Sequence, residues 1–466
     1  MGPRIVEELK AALGRDRVLD SRVDRTVYAY DTTWTEVLPD VVILPLSTRE
    51  VAAALRLANR ERIPVVPRGA SSGMSGGSVP VEGGICLSMT RMNQILEINL
   101  NDTIAVVQPG VVNMDLQDAA AAHGLFYPPD PASWNMSTIG GNVGENAGGP
   151  RCLKYGVTKD YVLGLEVVLA DGQIMRTGGR TIKNVTGFDL TSLFVGSEGM
   201  LGVVTEIILK LLPRPAATGT VMGAFDRIEQ ACQAVNEVIT SGVLPLTTEI
   251  MDGDCIAVVQ RQKDYGLPED VDAILLIDVE GWPDAVAREG EIVAAACRKA
   301  GARQVRLARD AAESDRLWAG RRAVSAALSG LGDKMGEDIA VPRSRIPEMV
   351  GRIRGIGKQY AIRIPIFGHI GDGNLHPALI CDRKNPDVMA RVRQAAGEIF
   401  QAAVSMGGTL SGEHGIGLAK RDFMKLALDP VAYQQMLVLK RALDPNNILN
   451  PGKVLEETDR TRPPQP

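Results

Sequence analysis

Three of the chain's four histidines fall in its last quarter, inside GHIGDGNLHP (368–377) and SGEHGIG (411–417). Taken singly, each reads as a structural or surface histidine; their clustering changes that reading. His369 and His376 flank a Gly-Asp-Gly turn (371–373) and can converge on one point from a strand and a loop, while Glu413 adds a carboxylate next to His414. Two imidazoles and a carboxylate with one position left open form a donor set for a catalytic divalent cation, zinc first, with manganese or iron as alternatives. A histidine near neutral pKa beside a metal-bound hydroxyl is suited to act as a general base. The fourth, His123 in AAAAHGLFYPPD, ends a helical run before Gly124 and reads as C-terminal capping.

Glycine is the other unusual count, at 49 with no G-X-Y period. The segment PRGASSGMSGGS (67–78) follows the strand-like run IPVV and mixes glycine with small hydroxyl residues. Such a loop offers backbone N–H groups without bulk, which a diphosphate needs for close approach. TIGGNVGENAGG (138–149) is equally dense in glycine, and GSEGMLG (196–202) precedes a strand. Three such loops suggest one long cofactor lying against several loop tips. None has the G-x-G-x-x-G form between a strand and a helix, and no G-x-x-x-x-G-K-[ST] occurs, so the ligand is not held as NAD or ATP usually is.

Alternating short β-branched runs and helical stretches must position these loops. Strands are expected at 41–45, 64–67 and 104–107, with a helix over 49–59. A second strand-rich block covers 161–170 and 201–212. Beyond Pro213-Arg214-Pro215 the pattern changes: helices at 226–240 and 284–300 alternate with strands at 273–279 and 362–366. This predicts domains at 1–215 and 216–409, with about 410–466 returning to the first, and a frayed polar tail, TRPPQP.

Composition excludes several classes. With 466 residues, two or three domains are expected. Apolar residues at 45% and charged residues at 23% exclude a disordered or fibrous chain, and a net charge of −5 argues against a nucleic-acid partner. No run approaches 18 consecutive apolar residues, so no transmembrane helix is expected. The N-terminal stretch shows neither a secretory nor a transit pattern. Six cysteines without a C-x-x-C pair offer no iron–sulfur or zinc framework and read as buried thiols in a reducing cytoplasm.

The succession PRGASSGMSGG, PPDPASWNMSTIGGNVGENAGG, GSEGMLGVVTE, FGHIGDGNLHP, SGEHGIG and DPNNILNPGK resembles the FAD-linked oxidase family of the vanillyl-alcohol oxidase and p-cresol methylhydroxylase type. Within it, the closest likeness is to the branch of glycolate oxidase catalytic subunits, D-lactate dehydrogenases and D-2-hydroxyglutarate dehydrogenases. The resemblance implies an α+β chain: a two-subdomain FAD-binding domain and a substrate, or cap, domain with an antiparallel sheet covered by helices. It assigns Pro67, Arg68, Gly69, Ala70, Ser71, Ser72, Gly73, Met74, Ser75 and Gly76 to the pyrophosphate loop. Pro129, Ser133, Thr138, Gly140, Gly141, Asn142, Ala147, Gly148 and Gly149 would line the isoalloxazine and ribityl chain. Glu198, Gly202 and Val204 would lie near the adenosine end, and Asn450 would reach back toward the flavin. The first loop lacks the histidine that tethers FAD covalently in some relatives, so non-covalent FAD is expected.

The resemblance also implies that His369, His376 and Glu413 ligate the metal while His414 stays free as the base. Arg321 would clamp the substrate C1 carboxylate, with Ser325 one turn on, and Asn374 would hydrogen-bond the substrate. Diacid-oxidising relatives carry a lysine about 15 residues past the arginine; here Gly336 stands in line and Lys334 two residues early, which favours a monocarboxylic substrate. The expected activity is oxidation of D-lactate or glycolate to the 2-oxo acid, with hydride transfer to flavin N5. Electrons would pass to an iron–sulfur subunit, an electron-transfer flavoprotein or a quinone, with membrane association only through such a partner. A homodimer is left open. The rival readings are a D-2-hydroxyglutarate dehydrogenase and a non-catalytic FAD-binding subunit of a larger complex.

Overall fold

A computed structural model describes residues 1–456 and divides the chain into two compact units. The first comprises Met1–Gly148, Val157–Arg214 and the described residues from Glu413 onward; the second comprises Gly149–Gly156 and Pro215–Gly412. The TRPPQP tail read as frayed lies outside the described residues.

The first unit holds two sheets. In the smaller, Val41–Ile43 and Val65–Arg68 run parallel to Ile85–Ser88, with Val18–Leu19 antiparallel at one edge. Two parallel strands need a crossover, and the helix Thr48–Glu61 provides it, capped by the Ser47 hydroxyl accepting from the Glu50 N–H. Its apolar stripe Val51, Leu55 and Ala58 is fully buried, together with Leu9 and Leu13 of the helix Pro3–Leu13. Gly84 follows from close approach: a Cβ there would lie 2.2 Å from the Pro64 carbonyl oxygen. The larger sheet is antiparallel, ordered Ile95–Asn99, Ile104–Val107, Val203–Lys210, Val162–Val168 and Ile174–Gly178. Val203–Lys210 alternates buried and half-buried positions along its length, as a strand with one face on a core must.

The second unit is built on an antiparallel sheet ordered Gln304–Leu307, Ala217–Phe225, Ala273–Gly281, Thr247–Asp252, Ile366–His369, Asn374–Cys381 and Asp333–Gly336, with Ile339–Ala340 also pairing Asn374–Cys381. Helices Gly253–Gln262 and Ala311–Leu328 bury Cys255, Ile256, Val259, Leu317 and Val324 against sheet residues Met222, Met251, Ile274 and Leu276.

One expected element moves. The strand read at 362–366 begins only at Ile366 and runs to His369. Pro365 has no N–H to donate, so before Ile366 only one-way bonds reach the neighbouring strand, from the Ala378 N–H to the Pro365 carbonyl (2.9 Å) and from the Ile380 N–H to the Arg363 carbonyl (3.0 Å), and the regular strand is the part that carries His369. Among the described residues no disulfide forms, and five cysteines are buried; Cys152 is half-buried, its sulfur accepting from the Gly149 N–H at 3.1 Å. His123 lies exposed beyond the helix Asn113–Ala121, ahead of Gly124 at φ +72°. Among the described residues no helix is long and apolar enough to cross a membrane.

Candidate active site

The three glycine loops of the first unit meet around one cavity. Its lining includes Pro67 through Met74, Ser133, Thr138, Gly140, Gly141, Asn142, Ala147, Gly148, Glu198, Gly202 and Val204, and also Glu413 and His414. The loops interlock at backbone distance: a Cβ on Gly69 would lie 2.2 Å from Thr138 Oγ1, which itself caps Ile139–Glu145 by accepting from the Gly141 N–H. Gly144 faces open space instead, with nothing within 4 Å of the position its Cβ would take. A wall of absent side chains leaves room for a ligand to lie along the backbone. Ser71 holds the first loop in a left-handed turn (φ +61°), its hydroxyl donating to the Tyr30 carbonyl at 3.1 Å.

Some residues assigned to this cofactor site from the sequence are not in the cavity's lining. Ser75 presents its carbonyl to the Leu418 N–H at 2.8 Å, and Gly76 packs on the Leu418 side chain. The Pro129 carbonyl accepts from Asn113 at 3.2 Å, and Gly149 falls in the second unit. Asn450 donates through Nδ2 to the carbonyls of Gly77 (3.0 Å) and Glu198 (2.7 Å), so it ties the first and third loops together.

A group of buried charges borders the cavity; Glu198 was among the sequence candidates, while Glu145 and Lys453 were not. Glu198 accepts the N–H groups of Ile416 (2.7 Å) and Gly417 (2.8 Å), which pins the segment carrying Glu413 and His414. Glu145 is beside it. Burial, then the neighbouring Glu198 and Asp31, push the Glu145 carboxyl well above the usual range. Lys453 is fully buried, donating to Gly77 O and to Asn450 Oδ1 at 3.2 Å each, and burial lowers its ammonium to about 8. His414 Nε2 is 3.5 Å from Glu413 Oε1.

In the second unit, strand register gathers the other candidates. Phe367 pairs with His376 and His369 with Asn374 across the hairpin of Ile366–His369 and Asn374–Cys381, so all four side chains share one face. The turn needs Gly373 (φ +93°), because a Cβ there would meet the Val341 carbonyl at 2.0 Å. The two imidazoles sit edge to face with ring centroids 5.0 Å apart. On the neighbouring strand Glu249 pairs directly with His369, and its Oε1 lies 2.5 Å from His369 Nδ1. Arg321, on the helix Ala311–Leu328, sets Nη2 2.6 Å from the other Glu249 oxygen and lies over the Phe367 ring at 4.9 Å. Burial raises the Glu249 carboxyl, but His369 and then Arg321 outweigh it and leave it below its ordinary value. The buried Nε–H of Arg321 finds no acceptor among the described residues.

Asp338, fully buried, accepts from Asn374 Nδ2 at 2.7 Å and from the Ser411 hydroxyl at 2.6 Å, with His376 Nδ1 3.8 Å away. Lys334 donates to the Ser325 hydroxyl at 2.6 Å, one turn beyond Arg321. Neither Glu249 nor Asp338 was among the sequence candidates. The available signal was an acid inside an apolar run, in TTEIMD, a strand, and in EDIAV, where Asp338 immediately precedes one, because a buried ionised group persists only if it is paired.

Comparison with known proteins gives two family matches along the chain. Residues 39–178 match the family description "FAD binding domain", and residues 214–454 match "FAD linked oxidases, C-terminal domain". The chain is 45% identical over 460 residues to glycolate oxidase subunit GlcD of Bacillus subtilis, covering 98% of both chains. It is 41% identical over 416 residues to the same-named subunit of Escherichia coli K12, covering 89% of this chain and 83% of that one. It is also 34% identical over 470 residues to D-lactate dehydrogenase of Anaerostipes hadrus, covering 97% of each. Among solved structures, p-cresol methylhydroxylase superposes with a TM-score of 0.80 at 19% identity, covering 97% of this chain and 96% of that one; this is a likeness of fold. The chain belongs to the FAD-linked oxidases and is an FAD-dependent oxidoreductase with the fold of the vanillyl-alcohol oxidase group.

Proposed function

We propose that this oxidoreductase converts a small D-2-hydroxy acid, D-lactate or glycolate, to the corresponding 2-oxo acid. The observation that carries the reading is the place of His414, which borders the cavity formed by the three glycine loops, so a titratable base stands where the cofactor lies. FAD fits the cavity: three separate loops line it, with glycine backbone where side chains would obstruct. Loop residues 67–74, with Thr138, Gly140, Gly141 and Asn142, would hold it without a covalent link. When bound, FAD supplies a two-electron acceptor for the C2 hydride at its N5.

His369 and His376, with Glu413 added, would hold a divalent cation, zinc first and manganese or iron as alternatives. The support is the converging pair of imidazoles and the carboxylate bond that commits His369 Nδ1. A cation there supplies Lewis acidity to the substrate hydroxyl. Arg321 would bind the C1 carboxylate; its buried, unsatisfied Nε–H and the Phe367 ring beneath it suit a planar anion. Asn374, held by Asp338, would hydrogen-bond the substrate. His414 would take the hydroxyl proton as the C2–H bond breaks.

Names of the relatives support the substrate class, and the word "subunit" supports a protein partner that takes the electrons onward. The proposed acceptor is an iron–sulfur subunit, an electron-transfer flavoprotein or a quinone. One contact favours a second reading with a dicarboxylic hydroxy acid: Lys334 reaches Ser325 despite its offset in sequence, and so offers a cation one helical turn from Arg321. An anaerobic flavin-bleaching panel over glycolate, D- and L-lactate, malate and D-2-hydroxyglutarate tests both. A higher kcat/KM for hydroxyglutarate than for lactate or glycolate would select the diacid, and no bleaching with any hydroxy acid would refute the enzymatic role.

A further inference from the structure

Glu249 occupies an interior strand of the second unit's sheet at 1% exposure, between Thr248 and Ile250, which are both buried. A lone carboxylate in that position costs several kcal/mol unless both of its oxygens are used. Both face functional groups: Oε1 lies 2.5 Å from His369 Nδ1, and Oε2, which accepts no hydrogen bond among the described residues, forms an ion pair with Arg321 Nη2 at 2.6 Å. The cross-strand pairing of Glu249 with His369 sets the first contact through the backbone, and the helix Ala311–Leu328 sets the second.

We propose that Glu249 is a positioning residue that fixes the tautomer and ring direction of His369 and the aim of Arg321 together, coupling the metal ligand and the carboxylate clamp through one side chain. A neutral imidazole has a single N–H. With that proton on Nδ1 and directed at Glu249, Nε2 carries the lone pair that a cation would need. With Nη2 of Arg321 committed to Glu249, the guanidinium cannot rotate about its long stem, and its Nε–H remains for an incoming anion. The proposal rests on the reading of His369 as a ligand and Arg321 as a clamp.

Glu249→Gln separates positioning from bulk. Its amide has one acceptor oxygen, which Arg321 will claim because an NH2 facing a guanidinium is repelled. The amide NH2 must then donate to His369 Nδ1, forcing the proton to Nε2 and blocking the metal-binding lone pair.

The experiment uses the full chain with FAD bound, stripped of metal, at pH 8, with ¹⁵N-labelled histidine. Only four histidines contribute signals, and His369→Asn assigns the one that matters. The expected result is an Nδ1–H tautomer for His369 in the wild-type protein and an Nε2–H tautomer in Glu249→Gln. Zn²⁺ titration of the variant should give a Kd weaker by about 10- to 100-fold, with FAD stoichiometry unchanged. Glu249→Asp, which keeps the charge, should restore the Nδ1–H tautomer and part of the affinity. A folded Glu249→Gln protein with wild-type Zn²⁺ affinity and an Nδ1–H signal overturns the proposal. If that variant fails to fold, the wild-type spectrum decides, because an Nε2–H His369 in the metal-free protein is incompatible with positioning by Glu249. Wild-type protein that binds neither Zn²⁺ nor Mn²⁺ refutes the metal reading itself, and the tautomer measurement shows whether the Glu249 contact stands apart from it.

Discussion

Asn374 donates through Nδ2 to Asp338 at 2.7 Å, so the residue between the two hairpin histidines is oriented by a carboxylate 36 positions earlier in the chain. The same carboxylate holds the Ser411 hydroxyl, two residues before Glu413. Asp338→Asn leaves one acceptor oxygen where two are used. A stability loss of about 2 kcal/mol follows from breaking a buried charged hydrogen bond. Denaturant melts and steady-state kinetics check this: kcat/KM for the best hydroxy acid should fall roughly tenfold, and an unchanged value would mean that Asn374 needs no support from Asp338.

Gly144 lines the cavity proposed for FAD, and its Cβ would meet no protein atom within 4 Å. Gly144→Leu should therefore fold, with the flavin-free protein within about 1 kcal/mol of wild type, since leucine is the better helix former. The new side chain would project into space that FAD needs. Reconstitution monitored by flavin fluorescence should show the FAD Kd raised at least about tenfold.

His414→Ala removes the proposed base while leaving the glycine loops intact. A drop in kcat of roughly 100- to 10,000-fold is expected from loss of general base catalysis, with FAD content unchanged. Full rate in the variant would return the base assignment to another group.

For the proposed cation, dialysis against a chelator should abolish turnover, and added Zn²⁺ or Mn²⁺ should restore it. His376→Ala should contain less metal than wild type by elemental analysis. Equal content would remove His376 from the ligand set.

Asp278 supplies a pH test independent of the site. Burial raises its carboxyl from 3.8 to about 6, against hydrogen bonds from the Thr220 hydroxyl at 2.6 Å and Trp318 Nε1 at 2.9 Å. The folded state keeps this proton where the unfolded chain has lost it, so the group's contribution to stability falls as pH rises from about 4 to 6 and the penalty is complete above that. At 1.36 kcal/mol per pKa unit the effect is about 3 kcal/mol. Asp278→Asn, mimicking the protonated form, should flatten this part of the pH profile and stabilise the protein at pH 7, read from Trp318 fluorescence during urea unfolding.

Much of the site was legible in the linear text, and the reason is local. Glycine runs, the Gly-Asp-Gly turn and the period-2 strand Val203–Lys210 express backbone sterics that act within a few residues, so the loops around the cavity and the turn between His369 and His376 could be read directly. Where a local rule was missed, as at Pro365, the strand moved by a few residues and took His369 with it.

What no local pattern carried were the partners. Glu249 meets His369 across 120 residues, and Glu198 meets Gly417 across 219, because strand order and a returning chain segment bring them together. By itself the sequence determined the family, the glycine loops proposed to hold FAD and the donor types of the candidate metal site. Tertiary structure alone decided which buried carboxylates orient those donors. Burial makes an unpaired charge costly, and the fold meets that cost by placing Glu249, Asp338 and Glu198 against groups far away in the chain.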